Sequence, residues 1–282
     1  MHPILFKFTL PWGLGEHTVG TFGIMVMLGV IAGSLWLSRA LKRIGVTDKD
    51  APSDLVTWAV VVGLLGARWT YLAIHPEALQ SPIDLIALWK GGIVSYGGFF
   101  GGALGAWIWC KRRHLSPRLV GDAMMPALFL GQAFGRIGCF LVGDDYGKPW
   151  NGPWAVTFPR IEGSLMPDEL IGVPLHPSQL YLCLMNVLIF TSMAWLFRRR
   201  RWDGQVLITT MFLYATGRFL IEFTRGDDVA RGIYGKFSTA QWWSVGTALF
   251  ATVLYVRISA HAAPATPLRE PASPLREPAK KA

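Results

Sequence analysis

The sequence predicts an all-α, polytopic membrane protein, on three observations. Hydrophobic residues make up 52% of the 282-residue chain, more than an ordinary soluble domain carries. They gather into about seven runs, each near the roughly 20 residues that cross a hydrocarbon core of about 30 Å. Between the runs, clusters of Lys and Arg recur at every second boundary.

The spans are expected near 20–41, 54–74, 93–110, 120–142, 178–197, 205–223 and 239–258. Helices are the natural spanning form, because lipid offers no partner to an unpaired backbone N–H or C=O. The third and fourth runs hold Gly97, Gly98, Gly101, Gly102, Gly105, Gly131, Gly135 and Gly138. Glycine at that density predicts close helix packing. Residues 1–259 read as one transmembrane domain, and 260–282 as a disordered Pro-rich tail in which "TPLREPA" is followed by "SPLREPA".

Basic clusters set the expected orientation, since Lys and Arg favour cytoplasmic loops. Lys42, Arg43 and Lys49 follow the first span; Lys111, Arg112, Arg113 and Arg118 the third; Arg198 to Arg201 the fifth; Lys280 and Lys281 end the chain. The N-terminus and the loops 75–92, 143–177 and 224–238 then lie outside, and the C-terminus is cytoplasmic. The net charge of +9 is read as this topology signal, not as a nucleic-acid surface. The first apolar run is read as a retained span, because it continues with no small-residue cleavage site. Cys110, Cys139 and Cys183 have no metal-ligand spacing and predict neither a disulfide framework nor a metal site. No cofactor is expected.

The charges that topology does not explain lie within or at the outer ends of spans, where burial is costly without a partner. Arg68 stands in "GARWTY", Arg136 in "GRIGCFLVGDDYG", and Arg218, Glu222 and Arg225 in "GRFLIEFTRGDD". Two readings of these arginines stand side by side. They are buried ion pairs with Glu222, Asp144 or Asp145 that fix helix packing, or they converge on an anion, since guanidinium forks match phosphate oxygens. A phosphate at that depth belongs to a phospholipid head. "LHPSQLY" opens the fifth span with His176, Gln179 and Tyr181, which suit capping, an interfacial anchor or a lipid contact. The loop 143–177, rich in Gly, Pro and Trp, is long enough to be a lid or recognition element, or a passive cover on the membrane surface.

Four motifs, "GGIVSYGG", "GRIGCFLVGDDYG", "HPSQLY" and "GRFLIEFTRGDD", occur in the order found in the prolipoprotein diacylglyceryl transferase family, which the chain resembles over roughly residues 18–258. The resemblance implies a bacterial inner-membrane enzyme that moves a diacylglyceryl group from phosphatidylglycerol to the lipobox cysteine thiol of a preprolipoprotein signal peptide, releasing glycerol phosphate. It implies Arg136, Arg218 and Arg225 for the phosphoglycerol head and leaving group, with Arg68 as a further headgroup contact. Glu222, four residues from Arg218, is expected to orient that guanidinium.

The chain departs from the family pattern at several of these positions. Tyr96 stands where many members have histidine, a poor base with an ordinary pKa near 10 but a good donor to a phosphate or carbonyl oxygen. Cys139 and Val142 replace two asparagines, Asp144 replaces glutamate, Phe22 replaces tyrosine, and Leu175 and Leu182 replace polar neighbours. The thiol's base is then sought among Asp144, Asp145, His176 or an assisted water. The rival expectation is a lipid-binding or accessory membrane protein of the same fold that transfers nothing.

Overall fold

The computed structural model describes residues 2–9, 16–227 and 232–269. The end of the tail expected to be disordered, residues 270–282, lies outside the described residues, as do 228–231 in the last loop.

Seven α-helices occur among the described residues: α1 (Thr21–Arg43), α2 (Ala51–Ile74), α3 (Ser95–Arg112), α4 (Pro117–Val142), α5 (Ser178–Arg199), α6 (Gln205–Ile221) and α7 (Thr239–Ser259). They coincide with the seven expected runs and extend several of them into flanking polar sequence. Lys42 and Arg43, Lys111 and Arg112, and Arg198 and Arg199 sit in the last turns of α1, α3 and α5, where cations meet the negative end of the helix dipole. Asp50 precedes α2, and Pro52 occupies its first turn, where a missing N–H costs nothing.

Five helices are long and apolar enough to cross a membrane: α1, α2, α4, α5 and α6 with its 3₁₀ extension to Thr224. Only 22–39% of their most apolar windows is buried, so their side chains face outward, the inverse of a soluble core. This is a multi-pass membrane protein. In α3, glycines take the place of larger apolar side chains, and α7 begins with Gln241 and Ser244 among its buried residues; both fall short of the five in apolarity.

The chain divides into two compact units. One comprises Leu37–Ala123 with Thr266–Ala282, the other Met1–Trp36 with Met124–Ala265. In the first, α2 and α3 pack antiparallel at backbone contact. A Cβ on Gly66 would lie 2.5 Å from the Gly97 carbonyl, and one on Gly63 3.2 Å from that of Gly98. Such approach lets dispersion and weak Cα–H bonds act where no hydrophobic force separates helix from lipid.

In the second unit, the start of α1 lies against α4. A Cβ on Gly29 would stand 2.7 Å from the Gly131 carbonyl, and one on Gly33 2.9 Å from that of Ala127. Trp202, Ile208 and Ala251 bury a cluster joining α6 and α7. The long loop 143–177 has its own apolar centre, Phe158, Met166 and Leu175, covered by Phe140, Tyr146 and Leu170. Strands β3 (Val156–Thr157) and β4 (Pro174–Leu175) pair within it, and two further hairpins are formed by β1 (Ile4–Thr9) with β2 (Glu16–Gly20) and by β5 (Ile233–Tyr234) with β6 (Phe237–Ser238).

Candidate functional site

Helix α4 ends at Val142, six residues after Arg136, and the way it ends builds the site. The N–H groups of Gly143 and Asp144 both donate to the Cys139 carbonyl, at 2.9 and 3.0 Å. Gly143 adopts φ +79° and Asp145 φ +55°, a conformation that among side-chain-bearing residues Asp and Asn tolerate best. The Asp144 carboxylate accepts the Asp145 N–H at 2.9 Å. Turned back in this way, the Asp145 carboxylate meets Arg136 through Oδ2 and Nη2 of Arg225 through Oδ1, the latter at 2.5 Å.

A three-stranded backbone ribbon delivers Arg225 to that carboxylate. Lys148 N–H donates to Thr224 O at 2.8 Å, Gly226 N–H to Tyr146 O at 3.0 Å, and His176 N–H to Lys148 O at 3.0 Å. Residues 146–150 thus run between 224–226 and 174–176. A Cβ on Gly226 would fall 2.7 Å from the Gly147 carbonyl, and one on Gly147 2.7 Å from His176 Cβ, so both positions need glycine for the strands to approach. Arg225 is buried, and Asp227 takes both its Nε, at 2.8 Å, and its Nη2.

Electrostatics split the adjacent carboxylates. Burial pushes Asp145 up, but the Arg225 and Arg136 charges outweigh it and hold the group below its ordinary range. Asp144 is raised, first by burial and then by the charge of Asp145. One remains a firm anion and the other is the better proton acceptor.

Arg218 and Glu222 pair at i, i+4 as expected, with Glu222 fully buried. Its second oxygen accepts the Ser238 hydroxyl at 2.7 Å, and its charge reaches Arg225. Among the described residues, Arg136 and Arg218 each donate through Nη1 alone, which leaves the Nε and Nη2 N–H groups of both for an anion.

His176 and Tyr181 lie together beside this ribbon. The Tyr181 hydroxyl stands 3.3 Å from His176 Nδ1 and accepts Trp154 Nε1–H at 2.6 Å, while Trp150 stacks on the imidazole at 4.2 Å between centroids. Burial and the charge of Lys148 lower the His176 pKa, so the ring is neutral at pH 7. Gln179 is fully buried. Its Nε2 donates to Asp144 O at 2.7 Å, and its Oε1 has no partner among the described residues.

Arg68 and Tyr96 belong to the other unit. Arg68 is buried, donating Nε to Asp84 O at 2.8 Å and Nη1 to Gly91 O at 2.5 Å. The Asp84 carboxylate in turn accepts Ser81 N–H at 2.8 Å and Lys90 Nζ at 2.6 Å. Arg68 therefore ties the loop 75–92 to α2. Tyr96 sits half-buried in the first turn of α3.

Asp227, Ser238, Trp150 and Trp154 also belong to the cluster, outside the set of site residues expected from the sequence. Two signals pointed to the first pair: the acids in "RGDD", and the S-x-x-Q capping box of Ser238 and Gln241 that opens α7. The two tryptophans carry no spacing signal, since only the fold of 143–177 brings them to His176.

The family model of prolipoprotein diacylglyceryl transferase matches residues 10–257. Among similar proteins, the phosphatidylglycerol–prolipoprotein diacylglyceryl transferase of Thermosynechococcus vestitus is 35% identical over 223 residues, covering 78% of this chain and 82% of its own. The Bordetella parapertussis protein of the same name is 32% identical over 254 residues, 86% of this chain and 92% of its own. That of Clostridium tetani is 29% identical over 255 residues, covering 90% and 97% respectively. With the family's model matched from end to end of the helical region, and with relatives of that name aligned over most of their own length, the chain belongs to the prolipoprotein diacylglyceryl transferase family.

Proposed function

We propose that this chain transfers a diacylglyceryl group from phosphatidylglycerol to the lipobox cysteine thiol of a preprolipoprotein, in a bacterial inner membrane crossed by all seven helices, with the N-terminus outside. The observation that supports it most is the pair of half-engaged guanidiniums, Arg136 and Arg218, each fixed through one nitrogen with its other N–H groups uncommitted.

The transfer makes one bond and breaks one. The thiolate sulfur attacks the glyceryl carbon; the bond from that carbon to the phosphate-ester oxygen breaks; glycerol phosphate leaves with the oxygen and its added negative charge. Arg136 and Arg218 stabilise that charge as it develops. The thiol's proton passes to Asp144, whose raised affinity for it suits a base, with His176 as the neighbouring neutral alternative. Gln179 and Tyr181 contact the substrate beside them. Tyr96 donates to a substrate oxygen and Arg68 assists the headgroup, roles that rest on their motifs alone.

A second reading, a lipid-binding protein that transfers nothing, draws on the carboxylate already held by each of Arg136, Arg218 and Arg225. Purified protein in phosphatidylglycerol liposomes, given a lipobox peptide, separates the two. The expected result is a diacylglyceryl thioether on the peptide and glycerol phosphate in equal amounts. Bound lipid with neither product would reject transfer.

A further inference from the structure

We propose that Asp145 is a positioning residue for this transfer: its carboxylate ties Arg136 to Arg225, so that Arg136 is held with its unengaged N–H edge ready for the substrate phosphate. The inference rests on the transferase reading above and adds a residue to it.

Three observations carry it. The residues one turn from Arg136 on α4, Gln132 and Ala133 before it and Cys139 and Phe140 after it, carry no negative charge. A buried thiol and a phenyl ring provide no anionic acceptor, and the Cys139 sulfur lies 4.0 Å from the same Asp145 oxygen. Asp145 therefore supplies what the helix lacks. Secondly, Arg225 is already committed, with Nε and Nη2 on Asp227 and Nη2 also on Asp145. Its side chain is 7% exposed against 21% for Arg136. It acts as the anchor, and Arg136 as the group presented. Thirdly, the guanidinium is planar and rigid, so a contact that holds Nη1 narrows the directions open to the Nε and Nη2 donors as well.

The backbone is shaped for this contact. Asp145 sits at φ +55°, and the Asp144 carboxylate caps its N–H. Because glycine and asparagine also accept that conformation, Asp145→Gly and Asp145→Asn remove the charge without straining the chain.

The test uses the full-length protein in phosphatidylglycerol liposomes with a lipobox peptide. Both variants are expected to fold but to melt below the wild type at pH 7, so kcat is compared per folded protein. Their kcat should fall about 10- to 100-fold, with KM for phosphatidylglycerol changed less than about threefold, since a misplaced clamp loses transition-state binding more than ground-state binding. Added formate, a carboxylate small enough to sit between the two arginines, should restore part of the activity of Asp145→Gly and none to Arg136→Lys. Unchanged kcat, a lower KM with unchanged kcat, or activity lost only in proportion to the folded fraction would each overturn the proposal. Absence of product from the wild type would overturn the transferase reading and this inference with it. An active wild type with unaffected variants would overturn the inference alone.

Discussion

Ser238 Oγ stands 2.7 Å from Glu222 Oε1, and through that bond the first turn of α7 is tied to the carboxylate that orients Arg218 on α6. The same hydroxyl accepts the Gln241 N–H at 3.2 Å as the helix cap. Ser238→Ala removes both, and the buried Glu222 carboxylate loses the hydroxyl that donates to it. The expected cost is about 1–3 kcal/mol, read as a lower melting temperature in detergent.

Arg136→Lys keeps a positive charge beside Asp145 but gives up the planar fork. The protein should fold as before and lose about 100-fold or more in turnover, the scale of removing one preorganised donor from a developing oxyanion. Turnover assays with released glycerol phosphate check it, and unchanged turnover would count against the clamp.

The two neighbouring acids should act oppositely on stability. Asp145 is held below its ordinary value of 3.8 in the fold, so its contribution is present above that pH and lost as pH falls through the lower folded value. Asp144 is raised, so its ionised form costs stability once pH exceeds its folded value. At pH 7, Asp145→Asn should therefore melt lower than wild type and Asp144→Asn higher, with both differences shrinking in acid. Asp144→Asn should nevertheless lose activity, because the proton acceptor is gone. Melting curves across pH, with turnover alongside, test both signs.

Gly226→Ala places a methyl 2.7 Å from the Gly147 carbonyl and 3.0 Å from Lys148 N. Both are backbone atoms that cannot rotate away. The ribbon carrying Arg225 must open, at a cost of about 1–3 kcal/mol, and activity should fall further than stability because the Arg225–Asp145 contact is displaced. Comparing melting temperature with kcat separates the two losses.

Gly101→Ala probes the α2–α3 contact in the other unit. Its Cβ would lie 3.0 Å from the Gly63 Cα and closer still to the Val62 carbonyl. The helices must separate, and a loss of about 1–3 kcal/mol is expected, with Gly23→Ala, where that space is open, as a control that melts like wild type.

The sequence by itself determined the helices, because a run of apolar residues long enough to cross lipid has only one way to satisfy its backbone. It also determined the pairing of Arg218 with Glu222, since a spacing of four puts two side chains on one helix face whatever surrounds them. Glycine density foretold close packing but not the partners: that Gly66 faces Gly97 and Gly29 faces Gly131 depends on which helices meet. The tertiary structure alone decided the allegiance of the other charges. Arg136, Asp145 and Arg225 meet because α4 ends in a left-handed turn and a ribbon of backbone bonds lays 224–226 beside 146–150. Such a meeting depends on chain reversal at long range, which local spacing does not encode. For the same reason the sequence could not tell that Arg68, alike to the others as a charge within a span, donates its Nε and Nη1 to carbonyls of the loop that follows α2.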